Sequence, residues 1–484
     1  MLKVVIILCF VSVAQGQNDL PSAAQKVLKD HCYECHGNKR ESDPNFDVSD
    51  WHYLTKDKLT LVVPGSPKES RIVQRVLATP VEMPPETRTP LTVEEQKILV
   101  DWIKEGAKPW EPPLGRKYVD DQYISEMKGL DINKAGRVSL NYRYLSLANL
   151  YNDGATDKEI ECTQESVSKV MNFLAHGQTK VTPATILDEL GLVIRIDLRD
   201  YGWTRDNWDM VVQAYPFGNG LRFMRADWFC VNVSQPPLYY ALRGIPEDEK
   251  DFERMLKIKP ASMVRRAGIT DSNVAIHNRL FRRFETEDGY YWKSSNIKDD
   301  NKSSVLDVDN FKSDYSVSLY SLKNGLLGFA VFEPDEKDKT KFLRQDNVDI
   351  DAEFDPTKVV GTPHSTPMIS CVTCHTHGLQ PNVRDVTGGT AVAFLQQDKE
   401  RYLRAYQQLP GTLEPLRTVA DRYNRPVDLE RASADRGMDQ QSFGKLISTR
   451  QEFIELRPLL EGRTVTRKLW QDTLAKKRVA QLGE

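Results

Sequence analysis

Two short motifs of the same form constrain this chain more than any other feature. Cys32-Tyr-Glu-Cys35-His36 and Cys371-Val-Thr-Cys374-His375 both match C-x-x-C-H. Two cysteines on one helical turn can form thioethers to the two vinyl groups of a single haem, and the next residue places an imidazole under the iron. The sequence therefore predicts two haem c groups, attached at Cys32, Cys35, Cys371 and Cys374, with His36 and His375 as proximal iron ligands.

Two other uses of a cysteine pair fit these motifs less well. A structural zinc site requires four ligands. A thioredoxin-like redox pair needs no histidine and is expected within a βαβ unit. Covalent haem attachment is therefore the prediction at both motifs.

Residues 1–16 have the pattern of a secretory signal peptide. Lys3 provides a positive start, residues 4–13 form an apolar run, and residues 14–16 form a small-x-small cleavage site. The run is about half of the roughly twenty residues that a transmembrane helix needs, and no later stretch is long and apolar enough to be one. We expect an exported, soluble protein, periplasmic or extracellular, with no membrane span in the mature chain.

Composition limits the other function classes. The chain has 484 residues, enough for roughly two to four domains, and its net charge is −3. Because there is no basic excess, nucleic acid is not an expected partner. Cys162 and Cys230 are the cysteines that remain outside the signal and the motifs. An exported protein folds where disulfides are permitted, so we predict a Cys162–Cys230 bridge, with two buried thiols as the alternative.

Hydrophobic periodicity and turn signals divide the chain into regions. Residues 20–108 predict a small all-α module, residues 109–116 a stiff proline-rich linker, residues 117–360 an α+β domain, and residues 361–484 a mostly helical region with the second motif. The fold class is therefore multidomain. The individual predictions are helices over 23–29, 157–175, 399–408, 416–423 and 440–456, a capping box at Thr92 and Glu95, a strand over 192–198, and a hairpin of 316–322 with 326–332.

Met83 is the candidate sixth ligand of the first haem. It lies between the first motif and the predicted closing helix and is followed by Pro84 and Pro85. Prolines hold a loop in extended or turn geometry, and a thioether ligand raises the reduction potential of a haem iron. The alternative is a methionine of the core, but the position favours ligation.

Residues 28–108 resemble the planctomycete-type cytochrome c domain. The resemblance is carried by residues 32–37, 63–67 with Ser70, 83–85, 91–92, 102–103 and 106–107. Such domains are compact class I-like cytochromes, which implies His36 and Met83 as axial ligands. The remainder is similar to a region of large exported proteins of uncharacterised function, through residues 195–203, 225–229 and 369–375, and this similarity implies no activity.

The far side of the second haem has no assigned ligand. No Met-Pro-Pro follows His375, and the candidates are His176, His277, His364, His377, Met368 and Met438. The iron can also be five-coordinate. An open position binds small oxidants such as peroxide, whereas a six-coordinate iron mainly exchanges electrons.

Three functions follow from these patterns. The first is an electron-transfer protein that exchanges electrons with unknown redox partner proteins. The second is a peroxidase-like di-haem oxidoreductase with a small-molecule oxidant at the second haem. The third is a binding module with an exposed aromatic groove, for which the candidate residues are Trp203, Trp208, Trp228, Tyr239, Tyr240, Tyr290, Tyr291 and Trp292. We favour the first function, although core packing is the default for aromatics.

Two polar clusters are weaker candidates for sites. Arg199 and Asp200 belong to a dense polar run that serves either a haem edge or an ordinary strand edge whose charges pair with each other. The acidic residues Asp346, Asp349, Asp351, Glu353 and Asp355 provide oxygen ligands for Ca²⁺ but lack EF-hand spacing. A solvated acidic face is the better interpretation of this second cluster.

Overall fold

The computed structural model of the chain separates into two compact units, Met1–Pro113 and Leu114–Glu484. The protein is thus multidomain, with both helices and sheets. The described residues are 20–37, 48, 51–55, 59–85, 88–108, 116–129, 141–152, 155–217, 223–270, 278–298, 302–304, 307, 310–347, 366–379, 383–385, 391–411, 415–427, 455, 457–459 and 463–472. The predicted signal peptide, nearly all of the predicted linker and the predicted boundary at residue 360 lie outside them.

The first unit is helical over the part of it that is described. Its helices are α1 Leu20–His31, α2 Tyr33–His36, α3 Trp51–Leu54, α4 Arg71–Val76 and α5 Val93–Lys104, with a 3-10 turn at Pro67–Glu69. One hydrophobic core joins them, formed by Ala24, Val27, Leu28, Val48, Leu54, Val62, Val73, Val76, Leu91, Leu99, Trp102, Ile103 and Ala107.

Helices α1 and α5 pack against each other in the first unit. The predicted capping box is confirmed, because Glu95 N donates to Thr92 Oγ1 at 3.2 Å and Thr92 N donates to the Glu95 carboxylate at 2.8 Å. Apolar residues then recur on one face of α5 and are buried against α1. A hydrogen bond of 3.0 Å between His31 Nε2 and Glu95 Oε1 holds the end of α1 beside α5. This contact positions the residue that precedes the first motif.

The second unit contains helices and two sheets. Its helices are α6 Arg116–Gly129, α7 Ala148–Asn152, α8 Asp157–Phe173, α9 Arg205–Ala214, α10 Ala226–Val233, α11 Leu238–Arg243, α12 Glu249–Met255, α13 Ile369–Cys374, α14 Ala391–Tyr406 and α15 Pro415–Tyr423. Its strands are β1 Tyr142–Ser146, β2 Thr185–Ile186, β3 Val193–Asp197, β4 Phe223–Arg225, β5 Lys259–Thr270, β6 Asn278–Thr286, β7 Gly289–Asn296, β8 Tyr315–Ser321, β9 Leu327–Pro334, β10 Phe342–Arg344 and β11 Val383–Asp385.

The strands form a small sheet in the order β2-β3-β1-β4 and a seven-stranded sheet in the order β10-β9-β8-β7-β6-β5-β11. In the larger sheet the paired strands are antiparallel throughout. The predicted hairpin is confirmed as β8 and β9, joined across Asn324 and Gly325. Strand β11 follows the second motif in sequence and pairs with β5 at the edge of the sheet. The chain therefore returns from the motif to the sheet.

Most local predictions in the second unit agree with the structure. Helix α8 begins after a second capping box, with Thr156 as its cap, and β3 matches the predicted strand. Helix α14 starts earlier than its predicted range, while α15 coincides with its own. Nearly all of the predicted helix over 440–456 lies outside the described residues.

Helix α14 is attached to the seven-stranded sheet by buried charges. Asp398 accepts hydrogen bonds from Arg283 Nε at 2.8 Å, from Arg283 Nη2 at 3.0 Å and from Trp292 Nε1 at 2.8 Å. Its backbone carbonyl accepts a fourth from the Tyr290 hydroxyl at 3.1 Å. A buried ion pair is tolerated only when its remaining hydrogen-bonding groups are satisfied in this way. One hydrophobic core contains residues of this sheet together with residues of α13, α14 and α15.

The predicted Cys162–Cys230 disulfide is wrong, because the structure has no bond between these two residues. Cys230 belongs to the main hydrophobic core of the second unit, and Cys162, on α8, is buried outside it. A disulfide needs both side chains to face one another at short range, and these two are packed into different surroundings. Burial raises the pKa of the Cys230 thiol well above its usual value, which keeps it protonated.

Among the described residues, no helix combines the length and the apolar character needed to cross a bilayer.

Candidate haem sites

The first motif forms a single helical turn at the end of α1. Cys32 N donates to Leu28 O at 3.0 Å, which continues the helix into the motif, and His36 N donates to Cys32 O at 2.8 Å. The two cysteines and the histidine therefore lie on one turn, as their spacing predicts. This is the local geometry that a double thioether attachment requires.

The thiols of this turn lie close together at the edge of the core. Cys32 packs against the hydrophobic core of the first unit. Burial, with the neighbouring Cys35 as a second cause, raises the pKa of the Cys32 thiol to about 11. Among the described residues, no three histidine, cysteine or acidic side chains converge to hold a metal ion.

The segment that carries Met83 exposes apolar side chains. Leu77 is 48% exposed, Val81 44% and Met83 38%. The backbone of this segment is held in place because Met83 N donates to Arg75 O at 3.3 Å, next to an ion pair between Arg75 and Glu82. Neighbouring apolar side chains left in water indicate a surface that another apolar body covers. A haem bound at the motif fits this surface.

A bidentate ion pair connects this segment to the motif. Arg88 Nη1 and Nη2 donate to the two carboxylate oxygens of Glu34 at 2.7 Å and 2.5 Å. Glu34 lies between the two motif cysteines, and Arg88 follows Met83 closely in sequence. The pair therefore holds the end of the Met83 segment against the motif. The donors present suit a haem with histidine and methionine ligands.

The second motif is on α13, in the interior of the second unit. Met368, Ile369 and Val372 are 1%, 2% and 4% exposed, and Ile369 N donates to Ser234 O at 3.0 Å. His375 N donates to Cys371 O at 2.7 Å, so Cys371 and His375 again lie on one turn. The side chain of Cys374 lies outside the described part of the chain.

The imidazole of His375 is anchored through one nitrogen. Its Nδ1 lies 2.9 Å from Gly378 O, and a hydrogen bond to a carbonyl requires Nδ1 to carry the proton. The other nitrogen, Nε2, then has its lone pair available for a metal. Burial lowers the pKa of His375, with Arg279 nearby lowering it further, and this keeps the ring neutral. Such an outer hydrogen bond is typical of histidines that bind metals.

Gly378 makes this arrangement possible. Its φ of +77° is a conformation that favours glycine. A Cβ atom at this position would lie 2.7 Å from the Tyr402 ring of α14, which is too close. The His375–Gly378 loop is therefore shaped by α14, and the Phe329 ring of β9 lies 6.1 Å from the His375 ring, between centroids.

The structure describes three of the predicted sixth-ligand candidates for the second haem. His377 is exposed, and its Nδ1 lies 3.1 Å from the Thr376 hydroxyl. Burial lowers the pKa of His176 to about 4, with Arg243 as the second cause. Met368 is buried at the start of α13. His277, His364 and Met438 lie outside the described residues.

Met368 and Lys169 line a cavity of about 10 Å³ together with Val372 and Thr373, the two residues between the motif cysteines. This volume holds about one water molecule. Burial lowers the pKa of Lys169 to about 8, and the ammonium lies 5.1 Å from the Tyr406 ring centroid. Met368 therefore packs in the core behind α13, beside a buried amine.

The dense polar run at residues 195–203 has an ordinary structural role. Arg199 pairs with Asp197 at 2.5 Å, and Arg195 pairs with Glu126. Asp197 also caps the following 3-10 turn by accepting a hydrogen bond from Arg199 N at 3.1 Å. Arg199 and Asp197 thus pair with each other, as one interpretation of the run predicts, whereas Arg195 pairs with a residue outside the run. Of the acidic cluster, only Asp346 belongs to the described residues.

The candidate aromatic residues of the binding-module hypothesis are all buried, each at 5% exposure or less. They form parts of the core and do not line an exposed groove. The function that depended on such a groove has no support from these residues.

Sequence reasoning did not find Arg279, Phe329 or Gly378 as neighbours of His375. The first two lie on strands far from the motif in sequence, and only the sheet register brings them close. A glycine three residues after the histidine was the one local signal.

Comparison with known protein families gives one match, which includes the first motif and not the second. Residues 32–87 match the family model described as Planctomycete cytochrome C. No curated protein and no solved structure matches the chain. Cytochromes of this type hold haem covalently and use it for electron transfer. The N-terminal domain of this chain is therefore a cytochrome c domain of the planctomycete family.

Proposed function

We propose that the chain is an exported di-haem c-type cytochrome that exchanges electrons with redox partner proteins through both haems. The observation that carries the proposal is the second motif itself. There, His375 follows Cys371 on one helical turn and is anchored through Nδ1 with Nε2 available. The turn from Cys371 to His375 repeats, in a different fold, the turn from Cys32 to His36 in the matched domain.

The residues have separate roles in this proposal. Cys32, Cys35, Cys371 and Cys374 hold the two haems, and His36 and His375 bind the irons from one side. Bound haem supplies reversible one-electron chemistry. Met83 binds the first iron from the other side, on the segment whose exposed apolar side chains the bound haem covers. We propose residues 20–108 as the first haem domain, with residues 117–360 and 361–484 together forming the second.

Haem stoichiometry tests this function. The protein is expressed with a cytochrome c maturation system, and haem per chain is measured as the pyridine haemochrome. We expect two haems in the wild type, one in Cys32→Ser/Cys35→Ser, and one in Cys371→Ser/Cys374→Ser. Cys230→Ser, which removes a buried cysteine outside the motifs, should retain two. A wild type with a single haem contradicts the proposal.

The spin state of the second haem separates an electron carrier from an enzyme. We expect two low-spin, six-coordinate haems in the absorption and paramagnetic resonance spectra. A high-spin component that shifts with cyanide or peroxide would contradict the carrier and support the peroxidase-like oxidoreductase.

A further inference from the structure

The Met83 segment, residues 77–85, has few tertiary contacts of its own. Pro84 is its one buried residue, and seven of its nine residues are exposed. Two backbone hydrogen bonds join it to the end of α4, from Glu82 N and Met83 N to Arg75 O. Both are 3.3 Å long, at the weak limit for an N–H donor. A segment with so few buried apolar contacts belongs to the least stable parts of a fold.

An ion pair connects the end of this segment to the first motif. Arg88 N donates to Pro85 O at 2.8 Å, so Arg88 stays beside the segment. Its guanidinium donates to both carboxylate oxygens of Glu34, at 2.7 Å and 2.5 Å. Glu34 belongs to α2, between the two motif cysteines, so its backbone is part of the turn that carries the haem. The Glu34–Arg88 pair thus joins the segment of the sixth ligand to the attachment site.

The exposure and the geometry of this pair determine how strongly it acts. Arg88 and Glu34 are 48% and 70% exposed, and exposed pairs are weak. A bidentate arginine–carboxylate pair has the best geometry among them, and dissolved salt weakens every exposed pair. The pair is therefore strong enough to bias a marginally held segment and weak enough to respond to ionic strength.

We propose that the Glu34–Arg88 pair keeps Met83 on the first haem iron, and that breaking the pair opens the sixth position to small neutral ligands. The inference rests on the proposed function, because it requires Met83 as the sixth ligand. In the exchange the iron–sulfur bond breaks, a bond from the iron to the new ligand forms, and no electron is transferred.

The effect of the pair follows from population arithmetic. An external ligand binds only those molecules in which the thioether has left the iron, so its apparent affinity rises in proportion to their fraction. The pair holds the segment against the motif and lowers this fraction. Glu34 and Arg88 are positioning residues, since they act on the iron only through Met83.

The Arg75–Glu82 pair near Met83 has a different role. Arg75 lies on α4, directly before the segment, and its backbone carbonyl also binds the segment. This pair therefore joins the segment to the helix that precedes it and not to the motif. The distance between Met83 and the haem depends on the connection through Arg88.

The test measures imidazole binding to the full-length ferric di-haem protein, at a pH where imidazole is uncharged. Loss of the methionine–iron absorption band reports the exchange, and Met83→Ala assigns this band to the first haem. Arg88→Gln and Glu34→Gln each remove the pair. Lys97→Gln is the matched control, because it removes an exposed cation that is paired with Asp101 within α5, by the same change of charge.

We expect Arg88→Gln and Glu34→Gln to lower the half-saturating imidazole concentration about threefold at low ionic strength, in the range that an exposed pair contributes. The double variant should show about the same change, because both residues act through one contact. Glu34→Arg/Arg88→Glu, which exchanges the charges, should restore most of the wild-type behaviour. Lys97→Gln should bind imidazole as the wild type does.

Ionic strength provides a second measurement that needs no variant. Raising it from about 0.01 M to about 1 M screens the pair, so the wild type should approach the affinity of Arg88→Gln. The affinity of Arg88→Gln itself should stay the same, because it has no pair to screen and the ligand is uncharged.

Two results would overturn the inference. One is an Arg88→Gln protein that has the methionine–iron band and the wild-type imidazole affinity at low ionic strength. The other, decisive if the variants fail to fold, is a wild type with the same affinity at both ionic strengths. A band that is absent from the wild type or survives Met83→Ala would instead contradict the ligand assignment of the proposed function, so the two failures are distinguishable.

Discussion

The two C-x-x-C-H motifs form the same helical turn in opposite surroundings. In the first unit, the residues that accompany the motif are at the surface: Met83 is 38% exposed, and the Glu34–Arg88 pair is open to water. In the second unit, the start of α13 is buried, and the Arg283–Asp398 pair between β6 and α14 is 7% and 4% exposed. The comparison shows that a motif fixes an attachment geometry and leaves the environment of the attached group to the rest of the fold.

The largest expected difference between the two regions concerns their ion pairs. Asp398→Ala leaves the Arg283 guanidinium buried without its partner, which should lower the free energy of unfolding by about 3–5 kcal/mol. Glu34→Gln, which breaks the exposed pair of the first unit, should leave it unchanged within error because exposed pairs contribute little. Urea titrations followed by circular dichroism measure both variants.

A double variant separates charge burial from lost packing. Arg283→Met/Asp398→Leu removes both charges and should recover most of the stability that Asp398→Ala loses. If Asp398→Ala and Glu34→Gln cost the same, the contrast between a buried and an exposed environment is wrong.

The buried interior of the second unit also predicts a dependence on pH. His176 has an ordinary pKa near 6.5 when unfolded and a pKa of about 4 when folded, owing to burial. Between these values the unfolded chain binds a proton that the folded chain does not, so stability falls as the pH is lowered through this window. The loss is on the order of 3 kcal/mol at about 1.36 kcal/mol per unit.

His176→Gln is the variant that checks this effect. Its free energy of unfolding should fall less steeply than that of the wild type between pH 6.5 and pH 4. Urea titrations at a series of pH values measure the slope, and parallel curves for the two proteins would refute the prediction.

Met83→Ala tests whether the first haem iron has the methionine ligand that distinguishes it from the second. If Met83 is the sixth ligand of the first haem, its loss should lower that potential by on the order of 100 mV, since axial ligands set haem potentials over about 0.8 V. The methionine–iron absorption band should disappear, while the second haem keeps its spectrum. Met263→Ala, which changes another exposed methionine, is the control. A retained band after Met83→Ala would show that another residue binds the iron.

The smallest expected effect is one that the two units share. Thr92 and Thr156 each accept a hydrogen bond of 3.2 Å from the backbone N–H of a glutamate, at the start of α5 and of α8. Each change to alanine should cost about 1 kcal/mol of stability. Equal losses in urea titrations would show that local capping is independent of the surroundings that distinguish the two motifs. A loss confined to one variant would contradict this.

Features that depend on neighbours in sequence were predictable. The motif turns, the capping box at Thr92 and the hairpin at Gly325 each follow from a few adjacent residues. The environment of His375 was not predictable in the same way, because Phe329 and Arg279 reach it only through the register of strands that are distant in sequence. The disulfide prediction failed for a related reason: a count of cysteines carries no information about which side chains face each other.

The close approach of Gly378 to Tyr402 gives the second motif, together with the loop and helix that follow it (the second module), a sequence pattern of its own. In the first motif a glycine follows the histidine immediately, as Gly37, whereas in the second it comes three residues later. Any other residue at position 378 would meet the aromatic ring and would have to adopt an unfavourable backbone conformation. Chains that contain this second module should therefore carry C-x-x-C-H-x-x-G, with an aromatic residue on the helix that follows. That longer pattern offers a way to trace the module through genomes independently of the domain that precedes it here.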